Sequence, residues 1–190
     1  MIRIGILGNI GSGKSYVANN FGYPVFNADK EVSKLYKKNK KVFKKLKKKL
    51  PEHISSFPIN KNEITKAILS NGVNLKKIIN VVHVEIKKAL KLFLKKNKNK
   101  KAIVLDIPLF LENKLNLDTD ILVFIDADQK KILSRLKKRK NFNQKIFSLL
   151  KSVQIPVHIK RDQADFVVKN NFNSAKMKNE AKILISKIVI

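Results

Sequence analysis

The 190-residue sequence has no cysteine and no tryptophan, six glycines, five prolines, and only 14 acidic residues against 42 lysines and arginines. Without cysteine there is no disulfide framework, no thiolate nucleophile and no zinc–thiolate site. That absence agrees with a reducing compartment, and a cytoplasmic location is expected. The longest apolar runs, such as Ile121 to Ile125, fall far short of the roughly 20 residues that a spanning helix requires. No membrane association is therefore expected. The opening MIRIGILGNIGSGKS shows no basic region followed by an apolar core and a cleavage site, which argues against a secretory leader. The length suits one domain built around one core.

The formal charge is +28. Such a field attracts polyanions, nucleic acid first among them. Only Arg3, Arg135, Arg139 and Arg161 are arginines, however, and the chain lacks aromatics interleaved with arginine or a recognisable reading helix. Lysine and asparagine crowd stretches such as 37–49 and 95–101 instead. A solvated lysine coat accounts for this as simply as a selected partner does. No specific nucleic-acid partner is expected; a monomer is, with an oligomer as the alternative.

Apolar runs at 2–7, 24–26, 102–107, 120–125 and 165–168 are nearly continuous in Val, Ile, Leu and Phe, as buried parallel strands are. Between them, apolar residues recur at helical spacing: Val42, Leu46 and Leu50; Ile78, Val82, Ile86, Leu90 and Leu94; Ile132, Leu133 and Leu136; Met177, Ala181, Leu184 and Ile188. Alternating strands and helices predict an α/β fold with a central parallel five-stranded sheet flanked by helices. Residues 30–100 break the rhythm with helical periodicity and no good strand. They read as a helical insert folded against the sheet domain and holding substrate, within a single domain spanning 1–190. The segment 140–163 reads as irregular, and a lid is expected over about 138–163.

Gly8-Asn9-Ile10-Gly11-Ser12-Gly13-Lys14-Ser15 satisfies G-x-x-x-x-G-K-[ST] between an apolar strand and a helix. Glycines there let backbone N–H groups converge on phosphate oxygens, and the helix N-terminus adds a favourable dipole. Lys14 is expected to reach the β- and γ-phosphates of ATP, and the Ser15 hydroxyl to bind Mg2+. Tyr16, next in the chain, joins the nucleotide-binding set. No N-K-x-D guanine signature is present, and Ile103-Val104-Leu105-Asp106 ends in a single acid. A small P-loop kinase fits better than a GTPase or an extended ATPase.

Further blocks carry a resemblance. Pro24-Val25-Phe26-Asn27-Ala28-Asp29 is similar to P-V-x-D-A-D, Val82 to Lys87 to H-P-x-[IV]-R, and Leu105 to Glu112 to D-x-P-L-L-F-E. Arg135 to Arg139 matches R-L-x-x-R, and Gln154, Lys160 and Ala164 to Asn170 track Q, K and A-D-x-V-I-x-N. In this order the blocks resemble the dephospho-CoA kinase family, with its P-loop kinase fold. Departures are Asn9 for Gly, Asn27 for Asp, Val84 for Pro, Lys87 for Arg, and Asn171-Phe172 for a serine-glycine pair.

The resemblance implies transfer of the ATP γ-phosphoryl group to the ribose 3′-hydroxyl of dephospho-CoA. It implies Asp29 as base or orienter of that hydroxyl, although an aspartate there also suits the cap of a helix over 30–35. It further implies His83, Lys87, Asp106, Pro108, Leu109 and Glu112 as contacts to dephospho-CoA, and Asn170 as a contact to ATP. Asp106 ends a central strand, where α/β sheets build their sites, and suits a metal or water anchor as well. Helical spacing puts Arg135 and Arg139 one turn apart, so that both can face the phosphates. Arg161 belongs with them at the lid.

Overall fold

A computed structural model describes residues 1–189. The chain begins with β1 (Ile2–Gly8), α1 (Lys14–Asn19) and β2 (Val25–Asn27). Four helices follow without an intervening strand: α2 (Ala28–Lys38), α3 (Lys40–Lys49), α4 (Lys61–Ser70) and α5 (Val73–Lys96). Then come β3 (Ala102–Asp106), β4 (Ile121–Ala127), α6 (Gln129–Lys137), α7 (Gln144–Ser152), α8 (Val157–Asp162), β5 (Phe166–Asn170) and α9 (Ser174–Ile188). All strands pair in parallel, in the order β2-β3-β1-β4-β5. The expected five-stranded parallel sheet is therefore present.

The chain divides into two units, one of residues 1–27, 97–142 and 154–190, the other of residues 28–96 and 143–153. In the sheet unit, Ile4 and Ile6 of β1, Val104 of β3 and Val123 and Ile125 of β4 meet Val17 and Ala18 of α1 and Met177, Ala181 and Leu184 of α9. The opposite face needs its own cover, which is why these strands are apolar on both sides. There Phe110 lies over Gly5, where a Cβ would come within 2.5 Å of its ring. Truncating a buried residue such as Ile6 to Ala costs about 2–5 kcal/mol.

The helical unit buries the stripes expected from periodicity: Val42, Leu46 and Leu50 around α3, and Ile78, Val82, Ile86 and Leu90 along α5. α7 belongs to the same unit, where the Lys145 ammonium donates to Leu69 O at 3.2 Å. Abundant asparagine has a local use. Asn39, Asn60, Asn143 and Asn173 stand at the N-caps of α3, α4, α7 and α9, their side-chain oxygens accepting backbone N–H groups.

Two local readings need correction. Residues 140–163 are not one irregular segment, because Asn143 and Pro156 each open a short helix there. Asp29 is not a cap, because α2 already begins at Ala28 and Asp29 sits inside its first turn with Glu31. Acids at that point still favour the positive end of the helix dipole.

Candidate active site

The turn from β1 to α1 has the backbone its sequence demands. Gly8, Gly11 and Gly13 take φ of 139°, 83° and 94°, values that side chains resist. At Gly8 a Cβ would also stand 2.8 Å from Ile125 O and 2.8 Å from Ser12 Oγ. The Lys14 ammonium donates to Gly8 O at 3.0 Å and to Asn9 O at 2.7 Å, which ties it across the loop at the start of α1. Ser12 is fully buried and its hydroxyl has no hydrogen-bond partner. Asn9, Ile10 and Gly11 are half-buried, and Ser15 lies exposed at the first turn of α1. Tyr16 donates its hydroxyl to Ser174 O at 2.8 Å, so it links α1 to the start of α9.

Asn170, at the end of β5, is buried against this loop. Its amide donates to Ser12 O at 2.7 Å, and its Oδ1 accepts the Phe172 N–H at 2.7 Å. That turn holds Phe172 at φ 67°, an unusual conformation for a bulky residue. The Arg135 guanidinium stacks on the Phe172 ring with 4.6 Å to its centroid. In the sequence Phe172 stands only as a departure from the family pattern. An Asn two residues earlier, able to close an Asx turn, was the available signal.

Asn27 and Asp106 end neighbouring strands in register, and the Asn27 amide donates to Asp106 Oδ2 at 2.5 Å. Asp106 is 3% exposed. Along the turn that follows β3, Pro108 and Leu109 are half-buried, while Phe110 is core. Glu112 forms an ion pair at 2.6 Å with Lys160, itself 3% exposed, and accepts the Ile155 N–H at 3.1 Å. Gln154 donates to Pro108 O at 3.5 Å. Gln154 and Lys160 thus tie the 108–112 turn to the entry of α8.

Arg135 lies on α6, but Arg139 does not. The helix ends at Lys137 with Lys138 as its cap, and the Arg139 N–H turns back to Leu136 O at 3.0 Å. The expectation that both project from one helix face is therefore corrected. A cation-rich segment suits a helix C-terminus but does not prolong the helix. Arg161 pairs with Asp126 at 3.4 Å, and Arg3 makes a two-pronged contact to buried Asp120 at 2.9 and 3.0 Å. Arg3 and Arg135 are thus placed where a planar fork or a stacking face is used.

In the helical unit, Asp29 is exposed on the first turn of α2. His83 and Lys87 are one turn apart on α5. Burial pushes the His83 imidazole below its usual value, and the Lys87 charge pushes it further the same way.

A family model described as dephospho-CoA kinase matches residues 2–176. The chain belongs to the dephospho-CoA kinase family. It is 33% identical over 190 residues to a dephospho-CoA kinase of Wolbachia sp. subsp. Brugia malayi, covering 97% of each chain. It is 30% identical over 170 residues to one from Bartonella quintana, covering 87% of each. Among solved structures, TT1252 from Thermus thermophilus superposes with a TM-score of 0.76 at 26% identity, covering 98% of this chain and 97% of that one. Dephospho-CoA kinase from Campylobacter jejuni gives 0.66 at 23% identity, covering 98% and 96%, a likeness of fold. The match takes in every block that carried the resemblance, from the phosphate loop to Asn170. Among the described residues no helix is long and apolar enough to cross a membrane.

Proposed function

We propose that this chain transfers the γ-phosphoryl group of ATP to the ribose 3′-hydroxyl of dephospho-CoA, giving ADP and CoA. The observation that carries the reading is a strand–loop–helix phosphate cradle with Lys14 anchored across it, in a chain whose family match runs from residue 2 to 176. The acceptor oxygen attacks the γ-phosphorus in line as the bond to the β-bridging oxygen breaks. The hydroxyl proton passes to Asp29. Backbone N–H groups from Gly11 to Ser15, Lys14, Arg135 and Arg139 take up charge on the phosphoryl oxygens, where preorganised donors act most strongly.

Among the described residues no group of three or more His, Cys, Asp or Glu is placed to hold a metal ion. A magnesium ion carried by a triphosphate keeps several waters and needs few protein donors, so a hard oxygen of the kind the Ser15 hydroxyl offers fits it. Bound there, Mg2+ would neutralise the β- and γ-phosphate oxygens. In this reading residues 28–96 supply acceptor contacts through His83 and Lys87, and Pro108, Leu109 and Glu112 shape the turn beside Asp106. Asn170 and Tyr16 hold the nucleotide side, the 138–163 segment closes as a lid, and a monomer works in the cytoplasm.

The test is a coupled ADP-release assay with dephospho-CoA, AMP, CMP and shikimate as acceptors. Turnover with dephospho-CoA alone is expected. If dephospho-CoA were idle while another acceptor reacted, the proposal would fail. Lys14→Ala and Asp29→Asn should each lower kcat by orders of magnitude and leave the fold intact by circular dichroism, because both act on transition-state charge or acceptor alignment rather than on the core.

A further inference from the structure

Asn27 stands where the family pattern carries an aspartate, and its side chain has a specific task here. β3 lies between β2 and β1 in the sheet, and β1 runs directly into the phosphate loop. The pair Asn27–Asp106 therefore occupies the C-terminal sheet edge, joined by an amide-to-carboxylate hydrogen bond of 2.5 Å between residues 79 apart in sequence. A carboxylate with 3% exposure needs donors in place of water. In a chain with 42 cationic residues, the fold supplies Asp106 with a neutral amide. An amide gives a proton to the hydrogen bond without cancelling the carboxylate's charge, as a lysine would.

We propose that Asn27 is a positioning residue for the acceptor. By engaging Oδ2 it locks the Asp106 carboxylate in one orientation and leaves its full negative charge to receive a hydroxyl of the bound sugar. This rests on the reading of the chain as a dephospho-CoA kinase. An aspartate at position 27 would set two carboxylate oxygens at the separation the hydrogen bond now spans. Like charges that close cannot both persist without a shared proton or cation.

The experiment measures kcat and KM for dephospho-CoA and for ATP, together with thermal melting, in Asn27→Ala, Asn27→Asp and the swap Asn27→Asp with Asp106→Asn. Asn27→Ala should lower kcat/KM for dephospho-CoA about tenfold or more, the worth of a hydrogen bond to a charged group, with the KM for ATP unchanged. Asn27→Asp should lose at least as much. The swap rebuilds an N–H···O bond between the strands but moves the charge to β2, so it should melt like the wild type without recovering kcat/KM. Wild-type kcat/KM in Asn27→Ala or Asn27→Asp would overturn the proposal. So would full recovery of activity in the swap, since the carboxylate would then not be needed on β3. If the wild type ignores dephospho-CoA but uses another acceptor, the functional reading fails, and the same comparison with that acceptor still judges Asn27. A wild type idle with every acceptor overturns both.

Discussion

Gly13→Ala tests the coupling between the phosphate loop and the far end of β5. Gly13 caps α1 at φ 94° and ψ 16°, and a Cβ there would collide with the Asn170 side-chain nitrogen. A residue with a side chain in the left-handed region costs roughly 1–2 kcal/mol. Displacing the Asn170 amide also strips Ser12 O of its 2.7 Å hydrogen bond inside the protein, a further loss of about 1–3 kcal/mol. A total near 3 kcal/mol corresponds to a fall in Tm of about 6–12 °C for a chain of this size. Differential scanning calorimetry reads the fall, and titration calorimetry should show ATP affinity dropping with it. The double variant Gly13→Ala with Asn170→Ala removes the collision, so its destabilisation should be clearly smaller than the sum of the two single changes. A Gly13→Ala protein that melts with the wild type, or strict additivity in the cycle, would refute the steric argument.

Lys160→Met leaves the Glu112 carboxylate without its ion-pair partner and should cost about 3–5 kcal/mol in urea unfolding. Adding Glu112→Leu should restore much of that loss. At Glu63, burial pushes the carboxyl up, but hydrogen bonds from the Ser55 hydroxyl and the Ser55, Asn60 and Ser56 backbone outweigh it and hold the group below its ordinary value of 4.5. Its contribution is therefore complete above that value and disappears as pH falls through the lower folded value. The gap in melting temperature between wild type and Glu63→Gln should be widest near neutrality and should close in that acidic window. His83 should titrate below its usual range in an NMR pH series, and Lys87→Ala should move it upward by removing the second cause of its depression. An unmoved His83 would show that the Lys87 charge is not felt there.

Much of the candidate site was legible because it is local. The phosphate loop lies within eight consecutive residues, and its glycines, Lys14 and Ser15 act through the backbone between one strand and one helix. Helical stripes such as Ile78, Val82 and Ile86 follow from the 3.6-residue turn, and the unbroken apolar runs announce strands covered on both faces. Arg139 shows where periodicity misleads: spacing placed it on α6, but the helix stops two residues before it.

Local chain chemistry by itself determined the strands, the helices, the phosphate loop and the α/β class, because torsional preference and the burial of one face act over a few residues. Only the tertiary structure decided which distant side chains meet. Strand order brought Asn27 to Asp106, the path into α8 brought Lys160 to Glu112, and the turn after β5 set Phe172 under Arg135. Each of these contacts joins residues from separate segments of the chain. No sequence spacing encodes such a meeting, because it arises from how strands are ordered and loops are routed around the core.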